Sequence, residues 1–450
     1  MKIKNLIVIS CVINVLINIH TFAQNIETDE LGIEFEQESD ADELDIVFED
    51  DEEKESTKID EAHYKFRGFI DTRWGTRIQH SDDFDNQHTL FETRLQGKIE
   101  YNYKDIKLNL KADLVHDDII DGTSIDVREA YIELPSNNVV QTRIGRQSIL
   151  WGLGDLIVVN DLFPKDYLGL YYGRDAEAEY VVNPSDAIRS SFFIKNSTLD
   201  IVVTEFKPSD IPTGIRFSYF NPFIQDIIGE NQTLNISESK KTSLMTRWNT
   251  SILNNEVAFY YNNTNWQTPE GFNPKTQELN YPRLETFGFS IRNELGKGIM
   301  SIDAAYYLST EDRKGDKFWI RNSETRFILG YDFEIRKNLN LGLQWYQEQR
   351  QNQANYLNNL PPAMSADSRE YNLIIARVTQ FLMNQKMTLS LFTYYSPTQN
   401  DGYLRLNLFH KFDDHWMINL GTNHFSGEPN TRFGQLQQNS NYFAAIRWSF

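Results

Sequence analysis

The sequence predicts an all-β chain: a transmembrane antiparallel barrel of about 18 strands, behind a disordered acidic N-terminal segment. Three observations predict it. Apolar and polar residues alternate with period two along most of the chain, the mark of strands with one apolar face. Short Asn-, Asp- and Gly-rich turns alternate with longer connections. After the first 23 residues no long apolar run remains, although aromatics make up 13% of the chain. That last point excludes a helical membrane protein, but not a barrel, whose strands need only about 9–11 residues with alternate positions facing lipid.

Three segments follow in order. Lys2 and Lys4 precede an apolar run from Leu6 to Ile19, and Thr21-Phe22-Ala23 offers small residues where a signal peptidase reads. A cleaved signal peptide over 1–23 is expected, the run being short of the roughly 20 residues a spanning helix needs. Cys11, the only cysteine, lies inside it, so no disulfide is expected in the mature chain. Residues 24–61 hold 18 acidic residues against Lys54 and Lys58, and so carry most of the net charge of −20. Such a block cannot bury enough apolar surface to fold alone. Within it Asp29 to Glu36 and Asp42 to Glu49 both read D-E-L-x-I-x-F-E. Leu31, Ile33, Phe35 and Leu44, Ile46, Phe48 would project to one side of an extended segment and suit addition to a partner's sheet edge. A periplasmic protein partner is the reading this suggests; chance similarity in a biased segment is the other.

The barrel is expected over 62–450. In its first strand Tyr64, Phe66, Ile70 and Trp74 alternate with Lys65, Arg67, Asp71 and Arg73. The next pair repeats the pattern, Phe91 to Tyr103 and Ile106 to Leu114, around a tight Lys104-Asp105 turn. Seven further short turns are expected near 136–138, 196–197, 254–255, 296–298, 336–338, 384–385 and 413–414. Asn, Asp and Gly suit them because hairpin turns need positive φ. Nine longer connections intervene, the longest at 150–186 and 207–242, which gives 18 strands, with 16 as the alternative. Every short turn then falls on the periplasmic side and every long loop outside. The last strand alternates Tyr442, Ala444, Ile446, Trp448 and Phe450 against Asn441, Phe443, Ala445, Arg447 and Ser449. It resembles the barrel-closing C-terminal strand of bacterial outer-membrane proteins, which implies an outer-membrane location.

Candidate functional residues come from the expected inner face. Arg67, Arg73, Arg94, Lys98, Lys107, Lys111 and Arg143 form a basic stripe, interleaved with Glu92, Glu100, Asp113, Glu129 and Glu133. This stripe either lines a pore or pairs internally as structure. The loop over 150–186, with Trp151, Asp155, Phe163, Lys165, Asp166 and Tyr167, is too long for a simple hairpin. It either folds into the lumen as a constriction or packs on the rim. No metal-ligand spacing, catalytic triad or nucleophile elbow is present, and no cofactor or nucleic acid is implied. The acidic stretch Asp82 to Asn86 reads as a solvated loop.

The segment Arg143-Ile144-Gly145-Arg146-Gln147, then Trp151-Gly152 and Asn160-Asp161, resembles a G-R-Q…W-G pattern in porin-like families. These include phosphate and alginate-export porins and barrels that accompany RND-type transporters. Leu162-Phe163-Pro164-Lys165-Asp166 departs from their Asn-Pro form. The resemblance implies a channel for small solutes rather than an enzyme. Two other classes stay open: a non-conducting partner of a periplasmic machine recruited through the acidic tail, and a barrel-wall hydrolase.

Overall fold

The computed structural model describes residues 63–80, 87–152, 157–174, 180–211, 216–217, 219–221, 226–228 and 235–450. The signal peptide, the acidic tail with its two motifs, the 82–86 stretch and Asp155 lie outside the described residues.

Eighteen strands form one closed antiparallel sheet, each bonded to the next in sequence. The first six are His63–Arg77 (β1), His88–Tyr103 (β2), Ile106–Asp117 (β3), Gly122–Glu133 (β4), Val140–Gln147 (β5) and Ser185–Ile194 (β6). Next come Ser197–Glu205 (β7), Thr242–Ile252 (β8), Asn255–Asn265 (β9), Arg283–Leu295 (β10), Gly298–Ser309 (β11) and Glu324–Arg336 (β12). Leu339–Arg350 (β13), Glu370–Leu382 (β14), Met387–Ser396 (β15), Asp401–Lys411 (β16), Trp416–Ser426 (β17) and Asn441–Ser449 (β18) complete the wall. β18 closes on β1, from Phe69 against Ser449 to Arg77 against Asn441. The 18-strand expectation therefore holds, and all eight expected short turns are present. The segment near 215–220 adds no wall strand: 219–221 pair with 226–228, and 271–273 with 278–280, as two small sheets apart from the wall.

The turns show why their residues were chosen. Leu253 and Asn254 both have positive φ, 50° and 63°, as a two-residue hairpin with strand-matched twist requires. Asn338 (φ 65°) and Gly296 (φ 65°) serve two others.

Burial is inverted relative to a water-soluble barrel. Outward positions such as Phe66, Leu110, Ile188, Phe287, Leu343, Leu406 and Ile446 are exposed, while Asp71, Arg73, Glu92, Arg94, Asp113, Asp200 and Asp303 are buried inside. An apolar exterior around a charged interior places lipid outside the wall. Aromatic rings mark both edges of that band: Phe66, Trp416, Trp448 and Phe450 on the short-turn side, Trp74, Tyr395 and Tyr442 on the long-loop side. Inside, an apolar cluster fills the long-loop half of the lumen. Tyr307, Tyr346, Tyr403 and Phe425 from the wall meet Trp151, Phe163, Phe217 and Phe433 from the loops.

One seam of the wall differs. A bulge between Lys111 and Ala112 leaves Arg128 without a register partner, and β4 pairs with β5 over 130–133 alone.

Candidate functional site

The connection after β5 turns inward, and three arcs of the wall hold it. Asp161 organises its first part. Its carboxylate accepts from the backbone N–H of Trp151 (2.8 Å) and of Phe163 (3.0 Å), and pairs with Lys165 at 3.0 Å, both side chains buried. The Trp151 ring meets Phe163 edge-on at 5.0 Å and carries the Arg247 guanidinium at 5.2 Å. On the β10–β11 arc Asn160 donates to the Phe289 carbonyl (3.1 Å) and to Asp303 (3.3 Å), and Tyr307 donates to the Val159 carbonyl (2.5 Å). Asp303 lies midway along β11, so the loop reaches mid-height.

A short helix, Tyr167–Tyr171 (α1), follows, capped by Asp166, which accepts from the Gly169 N–H at 2.8 Å. Burial pushes the Asp166 carboxyl up, against the pull of Arg174. The carbonyls ending α1 are met by the β16–β18 arc: Leu170 accepts from Arg405 (3.2 Å) and Asn423 (3.3 Å), and Tyr171 from Asn423 (2.9 Å) and Asn441 (2.8 Å). On the β1–β4 arc Arg174 pairs with Glu92 (3.0 Å) and Asp166 (3.2 Å), and Arg128 donates to the Val182 carbonyl (2.7 Å). Gln96 donates to the Tyr180 hydroxyl (2.8 Å), whose ring lies under Arg94 at 4.0 Å, with Arg128 at 5.0 Å and Arg73 at 5.6 Å.

The basic stripe divides by height. Toward the long loops Arg73 is buried on Asp71 (2.6 Å), and Arg94 on Glu92 (2.7 Å) and Asp113 (2.6 Å). Toward the short turns Lys98 meets Glu100 (2.6 Å), while Glu133 takes Arg143 (2.6 Å) and Lys107 (3.5 Å). Glu129 accepts from Asn109 at 2.5 Å. Arg67, Lys98 and Lys111 occupy one register row across β1, β2 and β3. Trp151, Phe163, Lys165, Asp166 and Tyr167 are brought together on the folded-in loop.

A second charged cluster stands on the opposite wall and escaped the sequence reading. Glu348 on β13 takes Arg321 (2.9 Å), Arg432 (2.7 Å) and the Tyr346 hydroxyl (2.6 Å). Arg321 also holds Glu270 (3.0 Å) and Glu324 (2.8 Å), and Arg326 pairs with Glu324 at 2.6 Å. The only sequence sign is inward parity: Glu324, Arg326, Tyr346 and Glu348 share the inner face of β12 and β13. A further loop anchor, Arg216, pairs with Asp117 and donates to the Thr89 carbonyl (2.8 Å). Among the described residues no His, Cys, Asp and Glu cluster is placed to hold a metal.

The charged lumen, the inward loop and the closed 18-strand wall can be compared with solved structures. Acinetobacter baumannii OccAB4 aligns with a TM-score of 0.53 at 8% identity, over 86% of this chain and 98% of that one. OccAB3 of the same organism gives 0.52 at 10% identity, over 86% and 99%. Pseudomonas aeruginosa OccK11 (OpdR) gives 0.51 at 10%, over 86% and 96%. The chain shares their fold. No family model and no curated protein matches the sequence.

Proposed function

We propose that the chain is a passive outer-membrane channel for small hydrophilic or amphipathic solutes, constricted by the loop over 150–186. The observation that carries this reading is a charged lumen crossed at mid-height by a loop tied to three arcs of its wall. It is supported by the neighbours in fold, which are outer-membrane porins. Arg67, Lys98, Lys107, Lys111, Glu129 and Arg143 line the more open half in this reading, with Arg73 and Arg94 beside the constriction. The charged groups pair with one another rather than forming a nucleophile and base, which favours a role without catalysis. The G-R-Q…W-G likeness to phosphate and alginate-export porins belongs to this proposal as well.

Single-channel recording in planar bilayers tests it. Discrete openings are expected, and deleting 155–180 should raise the conductance severalfold. A silent barrel would sink the channel, and unchanged conductance after deletion would sink the constriction.

The rest of the organisation is proposed with it: a signal over 1–23 and a disordered periplasmic segment over 24–61. The tandem motif there favours docking to a periplasmic protein, in which charge speeds encounter and the apolar triplets hold. Replacing Leu31, Ile33 and Phe35 with alanine should weaken a periplasmic pull-down. Replacing Leu44, Ile46 and Phe48 as well should abolish it, because two tethered copies act through effective concentration. Partners retained by the double replacement would reduce the repeat to compositional noise.

A further inference from the structure

The two edges of β4 differ. Toward β3 it is paired along its length, from Lys107 against Glu133 to Asp117 against Gly122. Toward β5 it is paired only from Ala130 against Arg146 to Glu133 against Arg143, because β5 ends at Gln147. Among the described residues no strand stands beside 122–129. At about 3.3 Å per residue that edge is roughly 25 Å long. Val182 reaches it from the lumen, and Arg146 from below, where its Nη1 donates to the Val127 carbonyl at 3.5 Å.

The lipid-facing surface steps down at the same place. On β3 and β4 it stays apolar up to Leu114 and Ile125, which are register partners. On β5 and β6 the outward positions become charged at Arg146 and Asp186, which pair through two bonds of 2.8 and 2.7 Å. Arg146 is the register partner of Ala130, so this ion pair sits below the height of Ile125. Ile125 is 74% exposed, against 45% for Leu114, as expected for a side chain with no neighbour on one flank. Asp126, which faces inward on the same edge, keeps 46% of its side chain exposed. Directly under the step, beginning at Ala130, an outer groove of about 550 Å³ runs down between Ile144, Leu110, Leu108, Tyr101 and Tyr64.

An open sheet edge is not stable against hydrocarbon, but it is tolerated where it lines a water-filled cavity. Among the described residues only Val182 and Arg146 reach the β4 edge beside Ile125, which leaves lumen water to satisfy the rest of its backbone. We propose that the step between β4 and β5 is a lateral portal joining the lumen to the outer leaflet. Its cargo is a single-chain amphiphile: the charged head passes the edge near Asp126 and Arg146, and the apolar tail enters lipid over the Ala130 groove. This rests on the channel reading above and names one class of its solutes.

The test uses the full chain in lipid bilayers, in a Cys11→Ser background, with nitroxide labels at Asp126→Cys and at Asn249→Cys. Asn249 faces inward on β8, where the wall is paired on both sides. The Asn249→Cys label should be relaxed by a water-soluble nickel chelate and not by lipid-dissolved oxygen. The Asp126→Cys label should be relaxed by both. A label there that answers only to the chelate, or to neither, overturns the portal and means that this chain or a second copy seals the step. In the same liposomes a bulky maleimide on the thiol of the Asp126→Cys variant should slow transfer of a dansylated alkyl carboxylate from lumen to bilayer severalfold, with arabinose swelling almost unchanged. Equal slowing of both also overturns it. Loss of arabinose swelling in the unlabelled protein would instead overturn the channel reading, whatever the labels report.

Discussion

Glu348→Leu is expected to lower the stability of the barrel by about 3–5 kcal/mol, the range for removing one partner from a buried charge network. Glu348 lies on β13, but the cations it holds come from elsewhere: Arg321 from the connection before β12, and Arg432 from the connection before β18. Leucine keeps volume and removes the charge. Arg321 would retain Glu270 and Glu324. Arg432 would be left over the Tyr371 ring, at 4.1 Å, without this carboxylate. The loss should appear as a lower temperature at which the folded band disappears from unheated gels. Glu348→Gln keeps an acceptor and should lose less. A leucine variant with unchanged melting would mean that water enters the cluster freely, so that its pairs are worth no more than surface ones.

The wall was legible because lipid outside and water inside impose a period of two on every strand, and hairpins at one end impose Asn, Gly and Asp. That logic located all eight short turns and the strand count without any long-range information. The lumen contents follow a different rule. Arg432 finds Glu348, Arg216 finds Asp117 and Tyr307 finds Val159 across the barrel. No local pattern encodes such partners. Inward tyrosines on β11, β13, β15 and β16 look in sequence like ordinary pore lining. They are buried because loops fold down on them, which alternation cannot reveal. The early end of β5 was equally hidden, since Arg143 to Gln147 alternates like a strand that could have continued. The G-R-Q segment drew attention as a motif, and its physical content lies partly in backbone: Gly145 has φ 126°, a conformation that L side chains rarely adopt.

Glu92→Leu is the second change expected to act strongly, and it separates stability from conduction. Glu92 is fully buried on β2 and accepts from Arg94 at 2.7 Å and from the loop residue Arg174 at 3.0 Å. It is thus the point at which the inward loop is tied to the β1–β4 arc by charge. Removing it leaves Arg94 with Asp113, and Arg174 with Asp166. The anchors on β10–β11 and β16–β18 remain, so the loop should stay inside the barrel but swing at one end. A melting loss of about 3–5 kcal/mol is expected from the two guanidiniums left short of a partner. In planar bilayers the same variant should show larger and noisier openings than the parent. Because the pair is buried, added salt should not reproduce that noise in the parent. Asn160→Ala, at the opposite anchor, should increase the noise with a smaller loss of stability, since it removes a hydrogen bond to the Phe289 carbonyl and a longer one to Asp303 but no charge. If both variants melt lower and yet conduct like the parent, the loop lies outside the conduction path, and the constriction must be sought among the wall residues below it.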